Sequence, residues 1–368
     1  MNPRTAPAPA PAPGRDGRGA RASYTGEVIE QELRGALAAA LEGLPARQAS
    51  AAVERLIAHY RGETPTGAPV LRDGADAAAY AAYRMPATFA AACAALDALA
   101  ERAPDWAPAS HLDVGGGTGA AVWAAAQVWG PSSDPAGEAP RSTVVLDWAE
   151  PALALGRRLA AGVEALPEAQ WRRGSLRGGP APELGAAADL VTASYVLGEL
   201  GAEDRGAVVE AVAQAARGAV VLVEPGTPDG YLRIREAREA LIAAGLRVLA
   251  PCPHDGTCPI AVGQDWCHFA VRVARSSLHR RVKGGELPYE DEKFSYVVAV
   301  REAGPDAPAG VRAGAPARAR VVRKPQLRKG QVLLDLCEDG GALRRRPVTK
   351  REGDTYRAAR KAGWGAAW

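Results

Sequence analysis

The sequence contains no run of roughly 18 uninterrupted apolar residues, so a membrane-spanning helix is excluded. It shows no apolar stretch of the kind a secretory signal requires, which points to a reducing compartment. Lysine is scarce: only six of the 45 Lys and Arg residues are lysine, all beyond Arg281. Together with the abundant alanine, this bias reflects GC-rich codon usage more than function. Cysteine is scarce too, at five, and the close Cys-x2-Cys pairs of zinc ribbons are missing. In a reducing setting, the clustering of four of the five in the last third suggests a metal site more than a disulfide framework.

What is present bounds the architecture. A length of 368 residues fits two or three domains, and an apolar fraction of 47% is ordinary for a globular chain. Glycine (41) and proline (29) exceed the average share, which predicts long loops and a disordered segment. The formal net charge of +3 hides an asymmetry. Residues 1–268 carry 23 basic and 31 acidic side chains, whereas residues 269–368 carry 22 basic and 11 acidic ones. A basic module joined to an acidic body points to nucleic acid or another polyanion, the alternative being a solvated basic surface.

Residues 1–22, with their Ala-Pro alternation, cannot build a core and are expected to form a disordered tail. The repeated prolines oppose the amphipathic helix of a mitochondrial transit peptide. Residues 23–109 read as a helical subdomain. Ile29, Leu33, Leu37 and Leu41 recur every fourth position, and a second helical stretch covers 77–102, with its aromatic residues expected in the core. Residues 110–249 alternate strands and helices, as a doubly wound, mostly parallel α/β sheet does. Residues 250–368 read as a small β-rich module with strands near 294–300, 320–322 and 332–336, and a short basic helix from Thr355.

Asp113-Val114-Gly115-Gly116-Gly117-Thr118-Gly119 follows a short strand and precedes a helix. Glycines there permit a tight turn and close approach of a ligand to the backbone, and the helix N-terminus adds oriented N–H donors. The next strand ends at Asp147, whose two carboxylate oxygens suit a ribose diol. Dinucleotide sites prefer Gly-x-Gly-x-x-Gly. Asp113, Gly115, Gly117 and Gly119 form instead Asp-x-Gly-x-Gly-x-Gly, which resembles motif I of Rossmann-like S-adenosylmethionine-dependent methyltransferases. That resemblance implies that the loop receives the methionine portion, Asp147 the ribose, and Trp148 borders the adenine.

Cys252, Cys258, Cys267 and Cys337 cluster in the last third, while Cys93 stands alone in a helical pattern as a small buried residue. Four soft thiolates suit an iron–sulfur cluster or zinc, and His254 and His268 keep a Cys3His zinc site open. Around them, Ala250-Pro251-Cys252-Pro253-His254, Asp265-Trp266-Cys267-His268-Phe269 and Glu290-Asp291-Glu292-Lys293-Phe294-Ser295-Tyr296 stand out. With Val223-Glu224-Pro225-Gly226-Thr227-Pro228, these segments resemble the methyltransferase-like proteins of the small ribosomal subunit, the Rsm type.

The resemblance extends from about residue 80 to 364. It implies a Rossmann-like methyltransferase domain with a helical N-terminal subdomain and an iron–sulfur-stapled, β-rich C-terminal module. A [4Fe-4S] cluster would be held by Cys252, Cys258, Cys267 and Cys337, with zinc as the alternative. The implied partner is small-subunit rRNA, with no membrane involved. The setting is the cytoplasm of a bacterium, or the mitochondrial matrix if the source is a eukaryote.

No catalytic residue is legible. The Asn/Asp-Pro-Pro-aromatic tetrad of amino-methylating enzymes is replaced by Ser194-Tyr195-Val196-Leu197. The nucleophilic cysteine of pyrimidine C5 methylation is missing from this region. Ser175 stands where many relatives have an adenine-contacting acid, and Tyr195 and Glu199 are candidates to face substrate. The functional expectation is an S-adenosylmethionine-dependent RNA methyltransferase-like protein. The alternative is a non-catalytic assembly factor. Basic clusters, among them Arg272, Arg275 and His279 at helical spacing, are candidates to meet phosphate. The acidic run 290–292 is equally suited to anchoring arginines internally.

Overall fold

The structure, a computed structural model, describes residues 18–60, 73–131, 140–178, 182–185, 187–277, 280, 287–304 and 310–368. The expected tail lies outside the described residues up to residue 17. Its last five residues already belong to helix α1 (Arg18–Ala40).

Helices α2 (Ala46–Tyr60) and α3 (Gly74–Arg102) complete the N-terminal layer. The four-residue spacing of Ile29, Leu33 and Leu37 buries all three. α3 begins at Asp73, whose side chain accepts the Asp76 N–H as a helix cap. Its alanine-rich surface allows close packing on α4 (Ala120–Trp129).

Strands β1 (Ser110–Val114), β2 (Ser142–Asp147), β3 (Ala169–Arg173), β4 (Ala188–Ser194) and β5 (Ala216–Pro225) form the parallel part of the sheet. Helices α5 (Glu150–Ala160), α6 (Ala202–Ala215) and α7 (Pro228–Ala243) cross between strands. The strands are apolar on both faces because helices cover both sides.

β6 (Arg247–Ala250), β7 (Phe269–Ala274) and β8 (Tyr289–Val300) complete this sheet. Its order is β3-β2-β1-β4-β5-β8-β6, with β7 also pairing with β8. β8 runs antiparallel to β5, β6 and β7. Five parallel strands reversed at β1/β4, with an antiparallel strand beside β5, make a Rossmann-like methyltransferase fold. The reversal opens a crevice at the strands' carboxyl ends, where α/β sheets bind ligands.

A second sheet, of β9 (Ala319–Val321), β10 (Gln326–Arg328), β11 (Gln331–Glu338) and β12 (Leu343–Thr349), packs with helix α8 (Asp354–Lys361) around Val332, Leu334, Leu336, Val348 and Ala359. Two expectations are corrected. The strand near 294–300, assigned to the C-terminal module, belongs to the main sheet, so the separate sheet lies within 319–349. The stretch carrying Arg272 is a strand, not a helix, because β7 pairs residue by residue with the first half of β8. His279, Arg281 and Lys283 lie outside the described residues.

Candidate functional site

The glycine loop turns from β1 into α4 at the crevice. Gly117 has a φ of +54°, a left-handed conformation that costs other residues energy. Its N–H donates to Asp147 Oδ2 at 2.9 Å, while the Ala149 N–H donates to Asp147 Oδ1 at 2.8 Å. Asp147 thus ties the loop to the end of β2, and each carboxylate oxygen keeps accepting capacity. Burial pushes its carboxyl above the usual range, opposed by these backbone donors.

Together with Gly115, Gly116, Thr118, Trp148 and Ser175, these groups line a cleft of ≈ 220 Å³. That is far more than the roughly 10–15 Å³ one water needs. Trp148 is 46% exposed, leaving an indole ring at the mouth.

Two residues expected at the ligand do not line the cleft. Asp113 is 1% exposed and lies beneath the loop, so close that a Cβ on Gly116 would stand 2.4 Å from its Oδ2. Gly119 is absent from the lining; a Cβ there would meet the Trp171 ring at 2.7 Å. Its smallness serves packing under α4.

Asp113 Oδ1 accepts the Thr192 hydroxyl at 2.7 Å, and Thr192 Oγ1 lies 2.8 Å from His111 Nε2. Burial, more than the Asp147 charge, pushes Asp113 up to about 7, against the pull of the Thr192 hydrogen bond. Burial, with Arg141 nearby, pushes His111 down to about 3.

These shifts give opposite stability slopes. The Asp113 contribution is full below its ordinary 3.8 and lost as pH rises through about 7. The His111 contribution is full above its ordinary 6.5 and lost as pH falls through about 3. Across the overlap they offset each other. Asp113→Asn should leave the His111 slope alone, so its stability climbs more steeply with pH than wild type between about pH 4 and 6.5. Denaturant midpoints over a pH series measure this, and parallel curves would refute it.

The inner end of the cleft contains residues that sequence patterns did not bring together. Tyr195 is the one non-glycine residue with positive φ (62°) among the described residues. Its hydroxyl donates to Glu292 Oε1 at 2.9 Å. Arg84 of α3 pairs with that same carboxylate at 3.3 Å, and its guanidinium lies 5.2 Å from the Tyr195 ring centre. Burial holds the Tyr195 phenol well above its ordinary range, and the Glu292 charge adds to the effect. Tyr80 and Met85 line the cleft from α3, whereas Tyr83 lies in the core as expected. Glu224 accepts the Leu197 N–H at 3.0 Å and Arg233 Nε at 2.6 Å, fixing the short turn that carries Glu199 to the cleft rim.

The second site lies at the far side of β8. Cys252, Cys258, Cys267 and Cys337 all line one small cavity of ≈ 40 Å³, and all four are free thiols. Cys252 follows β6, Cys267 precedes β7, and Cys337 stands on β11. His254 joins them, its Nε2 3.6 Å from Cys337 Sγ. His268 instead stacks on Trp266, with ring centres 5.2 Å apart. The Tyr231 hydroxyl lies 3.3 Å from Cys258 Sγ. Burial pushes the Cys252 and Cys267 thiols up, and that of Cys337 to about 12. Among the described residues, no group of three or more His, Cys, Asp or Glu side chains is arranged to hold a metal ion.

Many of the basic residues are paired with the chain's own carboxylates, most of them at the surface. Arg272 pairs with Asp291 at 2.9 Å, Arg275 with Glu290 at 3.3 Å and Arg344 with Glu338 at 3.2 Å. Arg345 pairs with Asp335 at 2.7 Å, Arg346 with Glu352 at 3.1 Å, and Arg323 with Asp265. The acidic run therefore anchors arginines, as one of the two expectations held. Lys324, Lys329, Lys350, Arg351, Arg360 and Lys361 are exposed and form no ion pair among the described residues. No described helix is long and apolar enough to cross a membrane.

Comparisons with known proteins follow the same lines. The human ribosome assembly protein METTL17, mitochondrial, is 30% identical over 300 residues, covering 78% of this chain and 61% of that protein. The Rsm22-cox11 tandem protein 2, mitochondrial, of Schizosaccharomyces pombe is 30% identical over 180 residues, covering 40% of this chain and 24% of that protein. The chain thus spans about three fifths of the human relative's length and a quarter of the yeast one's. Among solved structures, magnesium protoporphyrin IX methyltransferase of Synechocystis with bound SAM is 13% identical, with a TM-score of 0.36, covering 67% of this chain and 90% of that one. The model of the family described as mitochondrial small ribosomal subunit Rsm22 matches residues 74–368, and the chain belongs to that family.

Proposed function

We propose that this protein works in assembly of the small ribosomal subunit and binds S-adenosylmethionine in its cleft, with small-subunit rRNA as its partner. The observation that carries this reading is the meeting of the Gly115–Gly117 backbone, Asp147 and Trp148 around one cleft in a chain of this family. The loop would receive the methionine portion, Asp147 the ribose hydroxyls and Trp148 the adenine face. Asp113 and Gly119 would act from behind, by holding the loop. Residues 110–249 supply this site, residues 23–109 cover its inner end through Arg84, and residues 250–368 carry the metal site and the unpaired cations. The setting proposed is a bacterial cytoplasm, or the mitochondrial matrix in a eukaryote.

Ligand holding is favoured over turnover. Where methyltransferases orient the accepting atom, the Tyr195 hydroxyl is already engaged by Glu292, itself paired with Arg84. Methyl transfer is the second reading, and labelled-methyl transfer onto small subunits from cells lacking the protein tests both. Incorporation that depends on this protein would establish turnover. Calorimetric binding of S-adenosylmethionine without incorporation would support the assembly role, and no binding would overturn the proposal.

A [4Fe-4S] cluster on Cys252, Cys258, Cys267 and Cys337 is proposed for the second cavity. Its fit rests on four free thiols converging from three separate segments, beside the buried arginines Arg238 and Arg320. Zinc on the same thiols, with His254 beside them, is the alternative occupant. When bound, the cluster supplies a one-electron couple and a cross-link between segments. The chain's own thiols hold it, and Tyr231 and His254 sit against two of them. Anaerobically purified protein should be brown, with about four irons and four sulfides per chain. A colourless protein with stoichiometric zinc would refute the assignment.

A further inference from the structure

Arg238 of α7 and Arg320 of β9 are 4% and 5% exposed, and both line the cysteine cavity. A buried guanidinium is normally matched by a carboxylate, since an unpaired buried charge is costly. Half-buried arginines of this fold follow that rule, as Arg84 meets Glu292 and Arg233 meets Glu224, whereas the buried Arg141 rests on the Pro108 and Gly130 carbonyls. What sets Arg238 and Arg320 apart is that both line the cavity of the four cysteines. Arg238 and Arg320 form no ion pair with a carboxylate among the described residues.

Their hydrogen bonds go to backbone carbonyls instead. Arg238 Nη2 donates to His254 O at 2.7 Å and Gly256 O at 2.8 Å, inside the loop between Cys252 and Cys258. Arg320 Nε donates to Pro251 O at 2.8 Å, and its Nη1 to Gly365 O at 2.8 Å. In the register of the second sheet, Arg320 stands opposite Cys337. Two fixed positive charges thus face a cavity whose other polar groups are thiols, two tyrosines, a serine, a histidine and Arg235.

We infer that Arg238 and Arg320 are charge-compensating positioning residues for an anionic metal–thiolate group in this cavity. The inference rests on the proposal that the four cysteines hold a cluster. Four thiolates outweigh the positive charge of the iron–sulfur core, so the group carries net negative charge. The two guanidiniums, one from α7 and one from β9, neutralise it, and their carbonyl bonds hold the loop that presents Cys252 and Cys258. Positive charge close to a cluster also favours its reduced form, so both residues raise its potential.

The test uses the full chain, purified anaerobically, with Arg238→Gln, Arg320→Gln, Arg238→Lys and Arg320→Lys. Glutamine keeps a donor for the carbonyls and loses the charge; lysine keeps the charge and loses the fork. Calorimetric binding of S-adenosylmethionine at the other site reports that each variant is folded. Iron per chain after gel filtration and the midpoint potential followed by electron paramagnetic resonance are the readouts. The glutamine variants should lose at least half their iron and shift the potential downward, while the lysine variants stay near wild type. Glutamine variants matching wild type in iron and potential would overturn the role and leave the cluster standing. Should glutamine variants fail the folding control, the lysine variants decide: a wild-type potential supports compensation by charge, and a lowered one overturns it. A wild-type chain that takes up no metal would overturn the cluster and this role together.

Discussion

Replacing Gly117 with arginine should abolish binding of S-adenosylmethionine, weakening it by at least about 100-fold, or roughly 2.7 kcal/mol. The side chain would start from a left-handed backbone at +54° and point into open cleft. The nearest atom to its Cβ would be Asp147 Oδ2, at 3.8 Å. An arginine reaching from there fills the cleft and pairs with the carboxylate proposed for the ribose. The backbone penalty, about 1–2 kcal/mol, is separable from this effect. Gly245, with a φ of +83° and open surroundings, bears the same penalty away from the cleft. Gly245→Arg should therefore lose stability comparably and keep full affinity by calorimetry. Iron content should survive in both variants. Unchanged affinity in Gly117→Arg would remove the ligand assignment of the loop.

Cys337→Ser should release the iron and weaken binding to a small-subunit rRNA fragment at least tenfold. Cys337 is the ligand candidate on the second sheet, while Cys252 and Cys267 flank strands of the main sheet. Losing it removes the link that closes a loop of 70 residues, and closure entropy grows with loop length. The exposed cations Lys324, Lys329, Lys350, Arg351, Arg360 and Lys361 all lie on or beside the second sheet. With the equally exposed Arg318 and Arg328 they supply the candidate phosphate contacts of this sheet, so wild-type affinity should fall steeply with salt. Cys93→Ser, in a thiol buried within α3, serves as the control for general damage. Equal affinities and equal salt slopes for wild type and Cys337→Ser would show that the cysteines do not organise the surface proposed for RNA.

The cleft was legible because strand, glycine turn and helix are neighbours in the chain, and Asp147 ends the next strand. The pattern did not separate the glycines that line the cleft from Gly119, whose role depends on Trp171, 52 positions away. Nor did it join Arg84 to Glu292, which lie 208 positions apart and meet only through the packing of α3 on β8. Arg272 and Arg275 fit helical spacing, yet the deciding partners, Asp291 and Glu290, lie across a strand pair. The first half of β8 is mostly charged and three successive arginines fill the start of β12, so apolar alternation, the usual strand signal, was silent there. β3 is a short edge strand only partly buried, with equally little pattern to read.

The placement of β8 bears on the order in which the molecule can be made. β5 is apolar along nearly its whole length, and one of its edges is satisfied only by β8, some 70 residues further on. Until residue 300 has left the ribosome, that edge presents unpaired N–H and C=O groups on an apolar strand, a template for association with other chains. A fragment cut at residue 249 would carry the whole glycine loop and Asp147, and would keep this open edge permanently. The half that carries the cleft therefore closes its sheet only together with the strand that follows the cysteine loop.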